Sequence, residues 1–416
     1  MIDQLNGFLI TKLGITISIS QMLKSIYLLG MLAYVMVVDR HKFLVLLGFT
    51  LVVFLPILSN LLFYSKRIIF LYDDIAFVSK LLTFPVSYYF FISVAKKYPF
   101  IQDNIKRHAN TFFFIILVAL IFSLLGFGNS NYGQVGGAEN EDGMSYGYKG
   151  YFIAGNELSA LFVLLYAFFC YYLYKNFKSI FLVSGGLIIG LLAAGLIVTK
   201  TALAGYVVIS IGTPFFIKYQ ESKSVFSYTK YDKKFLKIFI ILPLFISVVL
   251  YSLFQERIEA NISRIQYNIA KADELSSFLL SGRDNRVKNS VDLFVEKYAW
   301  YEKMFGTGWE YPKDRIKAEM LGIGTAELDY LDLLISNGII GLLLVYGFWV
   351  VVLLKMTSAF LSKNRHSLIS PALLGFTLLF FLSFISGHIM YSAMVGFYLG
   401  YFVTPLNMKK ELILIA

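Results

Sequence analysis

Charged residues are scarce in this chain: Asp, Glu, Lys and Arg make up 15% of 416 residues, against 58% hydrophobic and 17% aromatic. A soluble protein of this length needs far more charge to keep its surface in water, so a water-soluble globular fold is excluded. Cysteine is all but absent. The one present, Cys170, lies in the apolar run LFVLLYAFFCYYLY, so no disulfide framework and no Cys-based metal site can form within one chain, and a buried structural thiol is expected. No metal-ligand spacing, Walker loop or Ser–His–Asp signature is present, and neither a metal nor a cofactor is expected. The start of the chain lacks a basic segment followed by a small-residue cleavage site, so the first span is expected to direct insertion. There is no internal repeat and no low-complexity region.

What is present is a series of apolar runs, each long enough to cross a bilayer. Spans are expected near 4–20, 22–38, 43–64, 68–94, 109–127, 152–174, 179–198, 201–217, 237–254, 331–354, 368–386 and 389–406. The fold class is therefore an all-α polytopic membrane protein of about twelve transmembrane helices. With both termini in the cytoplasm, the inner segments DRHK, KKYPFIQDNIKRH, KNFK, KYQESKSVFSYTKYDKK, KMTSAFLSKNRHS and NMKK are all rich in Lys and Arg. The net charge of +11 follows from these loops. It does not point to nucleic acid, because the basic residues punctuate apolar spans and form no continuous basic surface.

Two long segments fall on the outer face: a Gly/Asn-rich loop at 128–150 and a large hydrophilic stretch at 255–330. The second alternates charge with apolar residues at helical spacing and reads as a helical subdomain on the membrane surface. The chain thus divides into spans one to nine (1–254), an extracytoplasmic helical loop (255–330), and the last three spans with a cytoplasmic tail (331–416).

Ionisable groups inside or beside spans are costly and mark candidate sites. In YDDIAFVSKLLTFP, the residues Asp73, Asp74 and Lys80 favour a structural role. In KGYFIAGNELSALF, Asn156, Glu157 and Ser159 enter a span, either as helix caps and interhelical hydrogen-bonding groups or as substrate contacts. Lys200 of VTKTALAGY, at a very short outer hairpin, either snorkels to the interface or holds a phosphate. Arg283 and Arg286 of SGRDNR fall on the same face. Glu327, Asp329 and Asp332 stand where the outer segment re-enters the membrane. Acids in a first helical turn are favoured by the macrodipole, which accounts for one of the three more readily than for all. His388 of SFISGHIMYSA is a lone histidine at a span boundary. Together these residues describe an outer-leaflet pocket with cations for a phosphate or pyrophosphate and a carboxylate whose pKa desolvation would raise, as a general base needs.

GYKGYFIAGNELSALF, VTKTALAGY, SGRDNR, FGTGWEYP, ELDYLDLLISNGIIGLLL and ISGHIMYSA, in that order, resemble the O-antigen ligase/polymerase superfamily of bacterial envelope proteins. The closer likeness is to its Wzy-type capsule and exopolysaccharide repeat-unit polymerases of Gram-positive bacteria. The resemblance implies a GT-C-like helical fold and a metal-independent, inverting glycosyltransferase in the plasma membrane. It would join undecaprenyl-pyrophosphate-linked oligosaccharides, donor and acceptor, at the outer face. A chain-length regulator and a flippase would be further partners. Lys200 falls where the family often has Arg, and Arg283 at the start of the outer helical segment. With Arg286, both would bind the donor pyrophosphate. Glu327 falls where ligases of the family carry His in an H-N-x-Y-L pattern, here E-L-D-Y-L. It would serve as the base, with Asp329 in reserve, and its presence favours the polymerase branch. Lys149, Asn156, Glu157 and His388 would contact substrate. Rival readings are a ligase passing glycan to another acceptor, a lipid-linked oligosaccharide flippase or transporter, and a non-catalytic scaffold. Twelve spans suit a transporter, but the large outer segment and the clustering of polar residues on one face argue against it.

Overall fold

The computed structural model describes residues 2–15, 18–63, 71–98, 104–132, 146–177, 179–221, 283–313, 326–362 and 367–407. Within them the chain is almost wholly helical. Helices α1 (Ile2–Leu13), α2 (Ile19–Val38), α3 (Arg40–Phe63), α4 (Leu71–Lys97) and α5 (Ile105–Leu124) lead into an antiparallel hairpin, β1 (Asn129–Tyr132) and β2 (Tyr146–Gly150). Then follow α6 (Gly155–Asn176), α7 (Ile180–Ile197) and α8 (Lys200–Glu221). Two short helices come next, α9 (Asp284–Asp292) and α10 (Trp300–Phe305). The chain closes with α11 (Asp329–Leu361), α12 (Ile369–Leu382) and α13 (Ala393–Phe402).

Among the described residues seven helices are long and apolar enough to cross a membrane: α2, α3, α4, α5, α6, α8 and α11. Three shorter apolar helices, α7, α12 and α13, accompany them. The seven fall on seven of the twelve expected spans; the three shorter helices fall on the expected 179–198, 368–386 and 389–406 but are below the length that marks a crossing. The expected ninth, 237–254, lies outside the described residues. Helix α6 is buried on nearly all sides (Leu158 through Tyr171), as a helix apolar all round should be. It forms the axis of the bundle. Leu29, Val37, Leu44, Phe181 and Leu354 instead point outward, as lipid-facing residues do.

The expected span at 4–20 is corrected. Helix α1 has 12 residues, too few for a crossing, and the chain turns after it with Gly14 at φ 66°. Asp3 accepts a hydrogen bond from Ser20 at 2.5 Å and pairs with Lys24, both on α2. Gln4 accepts the Tyr151 N–H at 2.7 Å. A Cβ on Gly7 would come within 1.6 Å of the Tyr151 carbonyl oxygen, so only glycine permits the contact. Helix α1 therefore lies against the residues leading into α6, and the first described residues sit at that end of the bundle.

The feature that shapes the candidate site is a break in α11. Gly338 takes φ 65°, ψ −175° and divides a buried half-helix, 329–337, from the crossing that follows. An unbroken helix would use the Ser336 carbonyl internally. Here it accepts the N–H groups of Thr307 (3.1 Å) and Gly308 (2.9 Å) from the FGTGW segment. Tyr298 closes the same corner through its hydroxyl, 2.9 Å from that of Thr307. A Cβ on Gly338 would meet the Met304 carbonyl oxygen at 2.5 Å, and one on Gly306 the Ser336 carbonyl oxygen at 2.2 Å. FGTGW is fixed from its other side by Asp74, whose carboxylate accepts the Trp309 and Glu310 N–H groups at 2.6 and 3.1 Å. This is the structural role expected for Asp74.

Gly338→Ala is expected to lower stability by about 3 kcal/mol or more, from left-handed strain plus the backbone clash. Gly347→Ala, in the regular part of α11 with open space at its Cβ, should change it by less than about 0.5 kcal/mol. Melting curves of the two detergent-solubilised variants check this, and equal curves would refute the interlock.

Candidate active site

Six chain segments distant in sequence meet at one end of the bundle, around the half-helix 329–337. Its two acids are inward-facing, Asp329 0% and Asp332 3% exposed. Asp329 Oδ2 accepts the N–H groups of Ile389 (3.0 Å) and Met390 (2.8 Å). Asp332 accepts the Ala326 N–H at 2.9 Å through Oδ1 and the Tyr391 hydroxyl at 2.9 Å through Oδ2. Spaced i, i+3 on one helical face, the pair pins 326 on one side and 389–391 on the other. Tyr391 lies against Phe77 and Trp309, with ring centroids 5.2 and 5.3 Å away, and Trp309 stacks on Phe77 at 4.1 Å.

Those pinned segments carry two strained residues. Glu327 sits at φ 55° and His388 at φ 68°; with Val198 at φ 55°, they are the non-glycine residues of positive φ among those described. Left-handed backbone costs a non-glycine residue about 1–3 kcal/mol and persists where surroundings enforce it, commonly at functional sites. Gly387 lets the two strands touch, since a Cβ there would lie 2.6 Å from the Glu327 carbonyl oxygen. Val198 turns the chain into Thr199, whose hydroxyl caps α8 at the Ala202 N–H (3.1 Å) and meets the Ser159 hydroxyl at 2.7 Å. That bond joins the VTKT turn to the start of α6 and presents Lys200.

The Glu327 side chain is held by both arginines. Its Oε2 accepts from Arg283 Nε at 3.1 Å and Nη2 at 3.0 Å, and its Oε1 from Arg286 Nη1 at 2.5 Å. Arg283 and Arg286 flank the first turn of α9, three residues apart and so on one face. Burial pushes the Glu327 carboxyl upward, but Arg286 and Arg283 outweigh it and the net direction is below the ordinary 4.5. The raised pKa expected for a base here is thus not what the structure contains: Glu327 is a paired carboxylate, ionised at neutral pH. Lys200 is within electrostatic reach of Arg283.

His388 connects this cluster to a second group of polar residues. Burial lowers its pKa below 6.5, against the opposing pull of Glu157 and Glu327, while Lys80 and Arg283 push the same way as burial. At pH 7 it is a neutral imidazole, able to accept a proton. Glu157 accepts the Ser392 hydroxyl at 2.8 Å, and Ser392 caps α13 through the Val395 N–H. Asn156 is half-buried in the first turn of α6. Lys149 donates to the Ile153 carbonyl at 2.9 Å, and burial lowers its pKa.

The structure therefore brings together Glu327, Arg283, Arg286, Lys200, His388 and Glu157. Asp329 lies directly behind them, its carboxylate engaged with backbone N–H groups. Lys149 is bonded within its own turn. Sequence reasoning passed over Tyr391, Trp309 and Ser392. The aromatic residues in FGTGW and HIMY were visible in the sequence, but nothing in their spacing showed that they meet. No group of His, Cys, Asp and Glu suited to a metal ion occurs among the described residues.

Residues 255–411 match the family described as O-antigen ligase like membrane protein. The match includes α9, the half-helix and the His388 segment, and excludes α1 to α8. Among curated proteins, none matches the chain.

The lowered Glu327 pKa fixes a pH signature. Its ion pairs contribute fully above the ordinary carboxylate value and are lost as pH falls through the depressed one. Glu327→Gln should therefore melt about 1–3 °C below the parent at pH 7, with the gap narrowing as pH drops below 4.5. A gap that persists unchanged to about pH 3 would show that the pairs do not hold the site.

Proposed function

We propose that this chain is a membrane glycosyltransferase that lengthens a polysaccharide from lipid-pyrophosphate-linked repeat units at the outer face of the plasma membrane. The observation that carries the reading is the closure of Arg283 and Arg286 on Glu327, with Lys200 within electrostatic reach of Arg283. The family match over this part of the chain supports it. A twelve-span, GT-C-like arrangement, with undecaprenyl as the carrier, belongs to the same proposal.

In this scheme the growing chain on its lipid pyrophosphate is the donor. Guanidinium groups recognise diphosphate oxygens by paired N–H donors, and Arg283 and Arg286 already present theirs to an anion. The diphosphate competes with Glu327 for those donors. Once it has displaced the carboxylate, Glu327 loses the pairing that depressed its pKa and stays beside the reaction centre as proton acceptor. A hydroxyl of the incoming repeat unit attacks the anomeric carbon and gives its proton to Glu327, and the bond to the diphosphate breaks. Arg283, Arg286 and Lys200 neutralise the charge on the leaving group. Direct displacement inverts the anomeric centre. Asp329 and Asp332 act as positioning residues by fixing the backbone of 326–327 and 388–391. Asp329 also stays the reserve acceptor in this scheme: backbone N–H groups hold its Oδ2, while its Oδ1 has no hydrogen-bond partner among the described residues.

A second reading is that of a ligase, which moves a finished glycan to another acceptor. The description of the matched family favours it, and Glu at 327 in place of a ligase histidine weighs against it. The two differ in product: a ladder of increasing lengths against one transfer.

Purified protein supplied with a lipid-linked repeat unit and EDTA should form a ladder. Arg283→Ala and Glu327→Gln should each lower the rate by about 100-fold or more, the scale of losing one charge-stabilising or proton-transfer group. Movement of the lipid between leaflets without new glycosidic bonds would refute the proposal.

A further inference from the structure

A cavity of about 320 Å³ opens beside His388, between α1, α2, α4, the entry to α6 and the start of α13. Its volume is in the range that holds a small ligand. The walls differ in charge from the arginine cluster next door. Asp3 pairs with Lys24, and Lys80 and Glu157 supply one further charge of each sign. Fixed charge in the lining sums to zero, whereas next door two guanidinium groups, Arg283 and Arg286, share the one carboxylate of Glu327. An anion gains little from entering a balanced lining. A neutral polyhydroxyl compound gains more, because it meets donors and acceptors together: the Gln21 amide, the Ser79 hydroxyl and the ammonium and carboxylate groups. Phe152, Leu28 and Met394 add apolar wall for the C–H faces of a ring. His388 belongs to both places, since it lines the cavity and feels the charges of Glu327 and Arg283.

We propose that this cavity is the acceptor-sugar subsite, holding an uncharged sugar of the incoming glycan with its attacking hydroxyl turned past His388 toward the arginine cluster. This rests on the reading of the protein as a glycosyltransferase. Almost all of the wall comes from residues before 158, outside the matched span 255–411, with His388, Ala393 and Met394 as the exceptions. Arg283, Arg286 and Glu327 thus lie within the matched span, while Lys200 and most of the cavity wall lie outside it. Helix α1 is accounted for as well: too short to cross, it closes the cavity with Asp3 and Asn6 and is locked there by Gly7 and Gln4 against Tyr151.

The test uses an engineered thiol in the full-length protein. The natural cysteine, Cys170, is fully buried, so Ser79→Cys places a reactive thiol in the cavity, and Gln21→Cys places one on the facing helix. Alkylation of either is measured with free maltose, lactose or N-acetyllactosamine at tens of millimolar, and separately with inorganic pyrophosphate at matched ionic strength. The proposal expects a disaccharide to slow labelling at both positions by about threefold or more, and pyrophosphate to leave it unchanged. Protection by pyrophosphate alone, or by no saccharide at either position, overturns it. Polymerisation kinetics of Gln21→Ala give a separate readout, with the acceptor KM expected to rise about tenfold and the donor KM to stay within about twofold. Saccharide protection in a protein that never forms glycosidic bonds would refute the transferase reading, and with it the acceptor role, and leave only a saccharide-binding cavity.

Discussion

The site depends on a half-helix that stops at Gly338. Ending there, the segment 329–337 leaves the Ser336 carbonyl to bind the FGTGW turn and points Asp329 and Asp332 into the protein. Two buried carboxylates are expensive unless their oxygens receive donors. Donors reach three of the four oxygens, from 326, 389 and 390 and from the Tyr391 hydroxyl, and leave Asp329 Oδ1 without a partner among the described residues. The cost of burial is thereby turned into a constraint on the loops on either side. Those loops carry Glu327 and His388, both in left-handed conformations that they would not adopt unaided.

This arrangement shows which parts of the molecule could be read from the residues. Hydropathy located ten of the described helices because a span is a long, local signal. It fails at 4–20, where the apolar content alone suggests a crossing. Lys12, the helix end at Leu13 and the glycine-permitted contact with Tyr151 make that stretch a helix laid on the bundle. The break at 338 was invisible to hydropathy, because ISNGIIGLLL is continuously apolar around it and only the docking of Gly306 requires it. The candidate site was legible as a list of residues and not as a set of partners. Glu327, Arg283, Arg286, Lys200 and His388 do share one end of the bundle. That the arginines would close on the glutamate itself, and depress its pKa where desolvation alone would raise it, follows from a pairing across more than forty residues. No local spacing encodes such a pairing.

Under the proposed function, the pairing would let one carboxylate serve two roles. Three cations close together repel one another, and a partly buried cluster of that kind is unfavourable without a counter-ion. Glu327 supplies that counter-ion from within the chain, keeping the guanidinium groups in the orientation an anion needs. A diphosphate brings more negative charge and more acceptor oxygens than a carboxylate, so it can replace Glu327 without leaving the arginines unpaired at any stage. The displaced carboxylate is then next to a bound anion rather than two cations, and both the neighbouring charge and its own burial raise its proton affinity. Basicity would therefore arise only once the donor is in place. A histidine at the same position would not give this coupling, because a neutral imidazole has no charge with which to hold the arginines beforehand. In the proposed scheme, Glu rather than His at 327 would therefore do more than supply a base: it would tie proton acceptance to donor binding through one shared set of N–H donors.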